Sequence, residues 1–289
     1  MKSIITCTLV LLVSLCNAQV HINEVLASNT RSNFDPDFGK FSDWIELYNS
    51  GTSTVDISGW ALSDDTLVLR KWSFPIGTTI APGSYLLVFA DGKNHIPGEI
   101  AYVEYTDIKQ IVTTQYHTNF AISAKGETVI LSNNQDQIID KLTFLSQDPD
   151  ISLGRNPLIN EEFLYWAWPS PASMNTGISA PSLQYASVPN IMENGGIQSA
   201  PIMIQLNTSQ LQSQIKYTLD GSTPTENSTT YSSPILSDTS VVLRAIAIVP
   251  GFLPSPVSTR SFIVDNGHTI PVICISTDSN HLWDKDFGV

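Results

Sequence analysis

Short stretches in which apolar and polar residues alternate recur along the whole chain. Residues 43–48 alternate so that Trp44, Glu46 and Tyr48 share one face of an extended strand. Residues 84–89 instead form a continuous apolar run after Ser84 and are bounded by Pro-Gly and Asp-Gly, which is typical of a central strand in a sandwich. Neither stretch has the spacing of an amphipathic helix, so both predict β-strands.

The remainder of the first half follows the same pattern. Residues 128–131 and 138–142 flank the pair Asn133-Asn134, and this arrangement predicts a β-hairpin. Apolar residues at helical spacing are never sustained over three turns without Gly, Pro or a β-branched cluster between them. Short strands separated by turn residues indicate a β-sandwich.

A change in composition divides the chain. From about residue 166 to residue 184 the sequence is rich in Pro and Ser, which predicts a domain boundary. A second set of strands follows, at 201–206, 214–219, 240–249 and 259–264. The run at 240–249 is the longest strand candidate in the chain. The alternation before it places Ile215, Tyr217 and Leu219 on the inward face.

The final stretch is short. Residues 268–276 predict one more strand, and Cys274 within this apolar run is predicted to be a buried structural thiol. One strand and a partial turn cannot bury a core, so residues 266–289 are interpreted as the truncated start of another domain. The predicted fold class is therefore all-β, with two immunoglobulin-like β-sandwich domains in tandem plus the truncated start of a third domain.

The N-terminus predicts the compartment. Lys2 provides a positive charge, an apolar run follows it, and Cys16-Asn17-Ala18 places small residues where a signal peptidase reads. Residues 1–18 are therefore predicted to be a cleaved signal peptide, and the protein to be secreted or at the cell surface. A buried N-terminal element is the alternative. Lipid anchoring at Cys16 is a weaker one, because Leu15 is a poor residue before a modified cysteine.

Charge and hydropathy exclude two kinds of partner. The chain has 27 acidic and 14 basic residues and a net charge of −13, with no stripe of Lys or Arg. A surface this acidic repels phosphate backbones, so nucleic-acid binding is not expected. Beyond the signal peptide, no apolar run approaches the roughly 20 residues of a membrane span.

Only Cys274 remains in the mature chain, which therefore has no internal disulfide.

Several sequence blocks in the first half resemble the lamin tail domain, an immunoglobulin-like β-sandwich. The resemblance extends from about residue 20 to residue 177. The blocks are 22–25 (INEV), 43–49 (DWIELYN), 57–64 (ISGWALSD), 81–88 (APGSYLLV) and 119–123 (NFAIS) with 126–131 (GETVIL). One departure from the family pattern is a long insert at about 94–116, which is predicted to be a loop over the sandwich edge.

Two further resemblances follow along the chain. Residues 217–224 (YTLDGSTP), supported by 231–235, 243–245 and 250–255, resemble the small β-sandwich at the C-terminus of chitobiase and hexosaminidase-type enzymes. In those enzymes the module is an accessory domain, so the resemblance implies no hydrolase function here. Residues 270–278 and 282–288 are similar to the opening of the CotH-type kinase family, which implies that any catalytic residues of that domain lie beyond Val289.

These resemblances define the predicted domain boundaries. They are residues 1–18, signal peptide; 19–177, lamin-tail-like β-sandwich; 178–188, linker; 189–265, chitobiase/hexosaminidase C-terminal-like β-sandwich; and 266–289, start of a CotH-type domain.

One loop carries several carboxylates, as Ca²⁺ sites do. Asp35, Asp37 and Asp43 lie close together in sequence and are the candidate metal ligands. The loop lacks the twelve-residue pattern with a terminal glutamate, and Pro36 constrains it, so ordinary turn chemistry is the alternative. No other cofactor is predicted within these residues.

Exposed aromatic residues are a second candidate feature, since Trp and Tyr rings stack on sugars. Trp166 and Trp168 flank the predicted domain boundary and are the candidate ligand-binding residues, for a surface glycan or a protein. Packing between the two domains is the alternative for both residues.

Other candidates are weaker. Glu24 and Glu46 fall in strand patterns and could face each other, as the two carboxylates of a glycosidase site do. The favoured interpretation is that both lie on solvent-facing sides of their strands. The five histidines lack zinc-ligand spacing. Nucleophile-elbow, phosphate-loop and dinucleotide motifs are absent, and Asp286-Phe287-Gly288 follows no nucleotide-binding lobe.

Three functions remain open at this point. The first is a pair of non-catalytic modules that position or anchor a C-terminal CotH-type domain outside the cell or at its surface. The second is the N-terminal portion of an atypical CotH-type kinase, with no catalytic site in these residues. The third is an extracellular glycan-binding protein.

Overall fold

The computed structural model describes residues 19–104, 108–159, 162–198, 201–264 and 272–275. The predicted signal peptide lies outside the described residues, as does most of 266–289. Every regular element in the described part is a β-strand, which confirms the all-β prediction. These ranges contain no helix that is long and apolar enough to cross a bilayer.

The first module contains fifteen strands. They are β1 (Val20–Leu26), β2 (Trp44–Asn49), β3 (Val55–Asp56), β4 (Ala61–Ser63), β5 (Trp72–Ser73), β6 (Thr79–Ile80), β7 (Tyr85–Phe89), β8 (Ile100–Glu104), β9 (Ile108–Val112), β10 (Tyr116–His117), β11 (Glu127–Ser132), β12 (Ile138–Phe144), β13 (Ser152–Arg155), β14 (Phe163–Trp166) and β15 (Ser179–Ala180).

Two sheets enclose the core of this module. One has seven strands in the order β10-β7-β2-β1-β13-β14-β15, and the other has four in the order β12-β11-β4-β5. Ile45 and Leu47 from the larger sheet meet Leu62, Val129 and Leu131 from the smaller one in a fully buried cluster. The core thus lies between two sheets packed face to face, as expected for a sandwich.

Individual strand predictions are confirmed in this module. β2 and β7 pair antiparallel, and β11 and β12 form the hairpin predicted around Asn133. The insert at 94–116 was predicted to be a loop, and that is wrong in part, because β8 and β9 pair across five residue positions. Ala101 and Val103 of this hairpin pack on Phe38, which gives the insert a small core of its own.

The larger sheet continues beyond β12. β13 pairs with the free edge of β1, and β14 and β15 extend the sheet from there. Between β14 and β15 the chain leaves the sheet and crosses its outer face. We call residues 167–176 the covering segment, because its backbone and side chains hydrogen-bond to groups on β1 and β2.

The second module contains the remaining nine strands described. They are β16 (Asn190–Ile191), β17 (Gly196–Gln198), β18 (Ile202–Ile204), β19 (Leu206–Asn207), β20 (Gln214–Thr218), β21 (Thr229–Thr230), β22 (Ile235–Ser237), β23 (Val241–Ile248) and β24 (Ser258–Val264).

A five-stranded sheet in the order β17-β24-β23-β20-β21 dominates this module. Its core contains Ile204, Leu243 and Phe262, all fully buried. Ile215 is buried in the same cluster, and Tyr217 packs against it, so the predicted inward face of this strand is confirmed. At eight residues, β23 is also the longest strand among those described.

The two modules meet in a shared apolar cluster. Leu253 of the second module is fully buried against Ile151 and Ala180 of the first. Beside this cluster the Tyr185 hydroxyl donates a hydrogen bond of 2.6 Å to the Asp148 carboxylate. Residues 178–188, predicted as a linker, therefore include strand β15 and a junction residue in direct contact with the first module.

The described part of the C-terminal stretch differs from its prediction. Residues 272–275 form no strand, and Cys274 is exposed, so its prediction as a buried thiol is wrong. Ile273 and Ile275 are 85% and 76% exposed. An apolar pattern predicts burial only where another layer covers it, and none of the described strands pairs with this segment.

Candidate functional site

Two glutamates lie side by side on the outer face of the seven-stranded sheet. Glu24 on β1 and Glu46 on β2 are direct register partners in the antiparallel pair. A shift in register between Ile22 and Glu24 marks a bulge in β1 beside them. Both glutamates are 0% exposed, so their prediction as residues of solvated strand faces is wrong.

The covering segment is the physical reason for this burial. Its Ser170 donates to Glu24 through its backbone N–H, at 3.2 Å, and through its hydroxyl, at 3.3 Å. The backbone N–H of Ala172 donates to Glu46 at 2.5 Å. From the sheet side, the Ser152 hydroxyl donates to Glu24 and the Asn23 amide donates to Glu46, at 2.8 Å in the second case.

Burial also changes the acidity of the pair. Removal from water raises the pKa of Glu24 to about 7, although hydrogen bonds from Ser152 and Ser170 oppose the rise. Burial likewise raises the pKa of Glu46 to about 8, and the neighbouring charge of Glu24 adds to that effect. Near neutral pH the pair therefore holds at least one proton.

Paired carboxyls with separated pKa values are also found in acid–base active sites. Such catalysis requires the oxygens to reach a substrate, and in this structure the covering segment closes over both Glu24 and Glu46. The arrangement therefore fastens the covering segment to the sheet through hydrogen bonds to carboxyl oxygens.

A second polar cluster lies at the β7–β10 end of the same sheet. The His117 imidazole is fully buried, with Nδ1 3.2 Å from an Asp91 carboxylate oxygen and Nε2 3.2 Å from one of Asp37. An Asp35 oxygen lies 4.0 Å from Nε2. The Phe89 ring stacks on the imidazole at a centroid distance of 5.4 Å.

These contacts favour a charged imidazole. Burial lowers the pKa of His117, but the hydrogen bond and charge of Asp91, with the charge of Asp35 and the hydrogen bond to Asp37, outweigh it and raise the pKa from its ordinary value. Burial raises the pKa of Asp35, whereas hydrogen bonds from Gln115 and Thr114 outweigh burial at Asp37 and lower its pKa. A buried imidazolium thus balances part of the charge of three aspartates.

Of the three predicted Ca²⁺ ligands, Asp35 and Asp37 both lie near His117 Nε2, whereas the hydrogen bond of Asp43 is to Asn29. The Asp37 carboxylate accepts from the backbone N–H groups of Thr114 and Gln115, each at 2.8 Å. Asp43 accepts from the Asn29 N–H at 2.8 Å, and burial raises its pKa to about 6. Asp35 accepts from the backbone N–H groups of Asp37 and Phe38, at 2.9 and 3.3 Å, so each of the three carboxylates accepts from a different stretch of backbone.

A different set has metal-ligand spacing. One ligand atom each from Asp35, Asp91 and His117 lie within 4.8 Å of one another. Only Asp35 belongs to the set predicted from the sequence. Ca²⁺ prefers oxygen ligands, so the two aspartates of this set suit that ion better than the imidazole does. Ca²⁺ binding at this loop stays a prediction.

The two candidate tryptophans occupy different environments. Trp166 is 4% exposed, and its indole N–H donates to the Gly154 carbonyl at 3.1 Å, so it is packed and offers no open ring face to a ligand. Trp168 is partly exposed and lines a groove of about 290 Å³ together with Thr225 and Asn227 of the second module.

Asp91, His117 and the burial of Glu24 and Glu46 were the features that sequence reasoning missed. Asp91 lies two residues after the end of β7, in the Asp-Gly pair that predicts a turn. The parallel pairing of β10 with β7 brings His117 beside Asp91, and no local pattern signals a pairing of this kind. Asn175 in the Pro/Ser-rich stretch, which reaches Asn23 across the sheet face, also had no sequence signal.

Comparison with known families agrees with the two sandwiches. Residues 16–146 match the family model described as Lamin Tail Domain. The first module is similar to lamin tail domains. Residues 193–259 match the model described as Chitobiase/beta-hexosaminidase C-terminal domain. No curated protein matches the chain. In the lamin-tail-like module, β13–β15 and the covering segment follow the matched residues and complete the sheet.

Proposed function

We propose that the two modules form a rigid, non-catalytic arm that holds a CotH-type domain at its C-terminal end, outside the cell or at its surface. Tandem immunoglobulin-like modules are compatible with such a role. The junction between the modules is the observation that carries the proposal, because an arm can position another domain only if its own parts keep a fixed orientation.

The junction combines apolar burial with polar pairing. Leu253 is 0% exposed where it contacts Ile151 and Ala180. The backbone N–H of Ala186 donates to the Leu253 carbonyl, and the Leu253 N–H donates to the Gln184 carbonyl, each at 2.8 Å. These bonds tie the connecting segment to the chitobiase-type module, so little free chain is left to act as a hinge.

The chemistry of the polar clusters supports a structural role. Glu24 and Glu46 are sealed by the covering segment, and the carboxylates around His117 are hydrogen-bonded to the backbone or to the imidazole. Each cluster joins segments that are distant in sequence, as buried networks that specify one packing arrangement do.

Protease treatment of intact cells tests the location. Cells that produce the full-length protein with a C-terminal epitope are treated with a protease that does not enter them. We expect both modules to be degraded while a cytoplasmic control protein survives. Degradation only after lysis would contradict the proposed location.

A further inference from the structure

A cavity of about 410 Å³ opens on the outer face of the lamin-tail-like module, beside the buried glutamate pair. Its walls include His21, Tyr48, Tyr85, Asn175 and Asn156. This volume is within the range of small-molecule sites. The cavity is formed by the larger sheet together with the covering segment, and the proposed positioning role does not involve it.

One wall of the cavity is aromatic. His21, Tyr48 and Tyr85 are successive register partners across β1, β2 and β7. The tyrosine rings stack with centroids 4.6 Å apart and planes at 26°, and the His21 ring meets Tyr48 edge-on at 5.6 Å. Both tyrosines are partly exposed, and because their ring faces lie against each other, they contribute ring edges and hydroxyl groups to the cavity wall.

The same wall and its rim provide hydrogen-bonding groups. Within the part of the chain that the structure describes, neither the Tyr48 nor the Tyr85 hydroxyl has a hydrogen-bond partner. Each can therefore donate to and accept from a ligand. Asn156 and Ser50 also line the cavity, and although the Asn156 amide donates to Glu162 and the Ser50 hydroxyl donates to the Gln19 carbonyl, the side-chain oxygen of each can still accept a hydrogen bond.

The charges around the cavity are balanced. The Arg155 guanidinium lines the cavity but lies 2.5 Å from the Asp140 carboxylate, donates to the Ile22 carbonyl at 2.8 Å and stacks over Phe163. The glutamates beneath the cavity have raised pKa values, which reduce their negative charge near neutral pH. Neither an anion nor a cation would gain a strong unpaired counter-charge here.

Aromatic side chains, hydroxyl and amide groups and balanced charge together fit one class of ligand. A pyranose ring has apolar C–H groups, which contact aromatic side chains, and a rim of hydroxyl groups, which need hydrogen-bond partners. We propose that this cavity binds a neutral sugar residue of a glycan, in contact with the exposed parts of Tyr48 and Tyr85 and hydrogen-bonded to their hydroxyl groups. The inference goes beyond the positioning role, and it places glycan binding away from Trp166 and Trp168.

Methionine methyl groups give a direct test on the unaltered chain. Met174 lies at the cavity and is 55% exposed, whereas Met192 and Met203 lie in the other module at 54% and 55%. The chain is labelled with ¹³C at the methionine methyl groups and titrated separately with cello-, chito- and manno-oligosaccharides, and with oligogalacturonate and inorganic phosphate as anionic probes. We expect a neutral oligosaccharide to shift the Met174 signal and leave the signals of Met192 and Met203 in place.

Substitutions then assign the aromatic wall. Tyr85→Ala removes one stacked ring and is expected to weaken binding by about ten-fold or more. Tyr102→Ala is the matched control, since Tyr102 is 70% exposed on the β8–β9 hairpin and should leave the affinity within about two-fold. Tyr85→Phe keeps the ring and removes only the hydroxyl, so it should weaken binding less than Tyr85→Ala does.

Three results would overturn the proposal. They are no shift of Met174 with any neutral probe, a shift with the anionic probes alone, or an affinity that is equal in the wild type and in a folded Tyr85→Ala variant. None of these outcomes bears on the orientation of the two modules, so failure here is distinguishable from failure of the proposed arm.

Discussion

Glu24 and Glu46 are direct cross-strand partners, and both side chains are completely buried beneath a segment that lies more than a hundred residues further along the chain. Like charges placed opposite each other in a sheet are destabilising. The pair is tolerated because burial raises both pKa values and keeps part of it protonated, and because Ser152, Ser170 and Ala172 donate hydrogen bonds to its oxygens.

The first prediction concerns the pH dependence of stability. A carboxyl whose folded pKa is raised holds its proton longer in the folded state, so stability is lost as pH rises from about 4.5 towards the folded pKa. Burial raises the pKa of Glu24 to about 7. The wild type should therefore lose free energy of unfolding between about pH 5 and pH 8. In Glu24→Gln this loss should be smaller, by at most about 3 kcal/mol. Urea denaturation at both pH values measures this loss.

Glutamine fits this position because both hydroxyl partners of Glu24, Ser152 and Ser170, can turn from donor to acceptor. Glu162→Gln, at an exposed glutamate, is the control and should leave the pH slope unchanged. If the free energy of unfolding changed with pH equally in the wild type and in Glu24→Gln, the raised pKa of Glu24 would be contradicted.

The second prediction concerns the buried imidazole. His117→Gln removes the cation between Asp35, Asp37 and Asp91 and should lower the free energy of unfolding by about 3–5 kcal/mol below pH 6.5. Because the folded pKa of His117 is raised, its contribution is present below about pH 6.5 and is lost as pH rises through the folded pKa. The difference between wild type and variant should therefore shrink at high pH.

His95→Gln is the matched control for this measurement. His95 pairs with Glu99 at 3.3 Å in a partly exposed position, so its loss should cost under about 1 kcal/mol. A large effect at His95, or a small one at His117 at low pH, would show that the buried network does not stabilise the module.

The third prediction concerns Ca²⁺. A divalent ion near Asp35 and Asp91 competes with the proton of His117, so after chelation we expect millimolar Ca²⁺ to raise the Tm at about pH 8 and to have little effect at about pH 6. Asp35→Asn should abolish the increase. No increase at either pH would remove the Ca²⁺ hypothesis, and an equal increase in the Asp35→Asn variant would place the ion elsewhere.

The fourth prediction concerns the packing of the covering segment. Gly154 is the cross-strand partner of Glu24, and a Cβ at this position would lie 2.4 Å from the Asn175 side-chain amide. Gly154→Ala should lower the free energy of unfolding by about 1–3 kcal/mol, measured in urea. Gly51→Ala is the control, because the atoms nearest to its Cβ belong to the partly exposed side chain of Gln19, which can move into solvent. If both substitutions lowered the free energy of unfolding equally, the covering segment would not be tightly packed against Gly154.

Local patterns were sufficient to predict much of the fold. The alternation in β2, the apolar run in β7 and the turn at Asn133 each depend on neighbours in sequence, and all three elements formed as predicted. The same patterns could not identify what covers a strand. Glu46 alternates as a solvent-facing residue should, and it is buried only because Ala172 and its neighbours cross the sheet.

The candidate sites depend on long-range pairing, which is why the sequence predicted them poorly. His117 reaches Asp91 through a parallel pair of strands and Asp37 across 80 residues of chain. The proposed sugar cavity needs His21, Tyr48 and Tyr85 from three strands in one register. The prediction that Cys274 is buried depended only on the apolar residues around it in sequence, and the residue is exposed in the structure.

The junction between the modules is the part of the structure on which the proposed arm depends most. Leu253→Ala removes the side chain buried against Ile151 and Ala180 and should loosen the orientation of the modules. Tyr185→Phe removes only the hydrogen bond to Asp148 and should have a smaller effect.

The distribution of distances between two spin labels, one on each module, is a direct measure of whether the modules keep a fixed orientation. The labels are placed at Thr52 and Leu236, both exposed, in a Cys274→Ser background and measured by pulsed electron paramagnetic resonance. A rigid arm predicts one narrow distribution in the parent chain, which broadens in Leu253→Ala. A broad distribution in the parent chain itself would show that the two modules do not form a rigid arm.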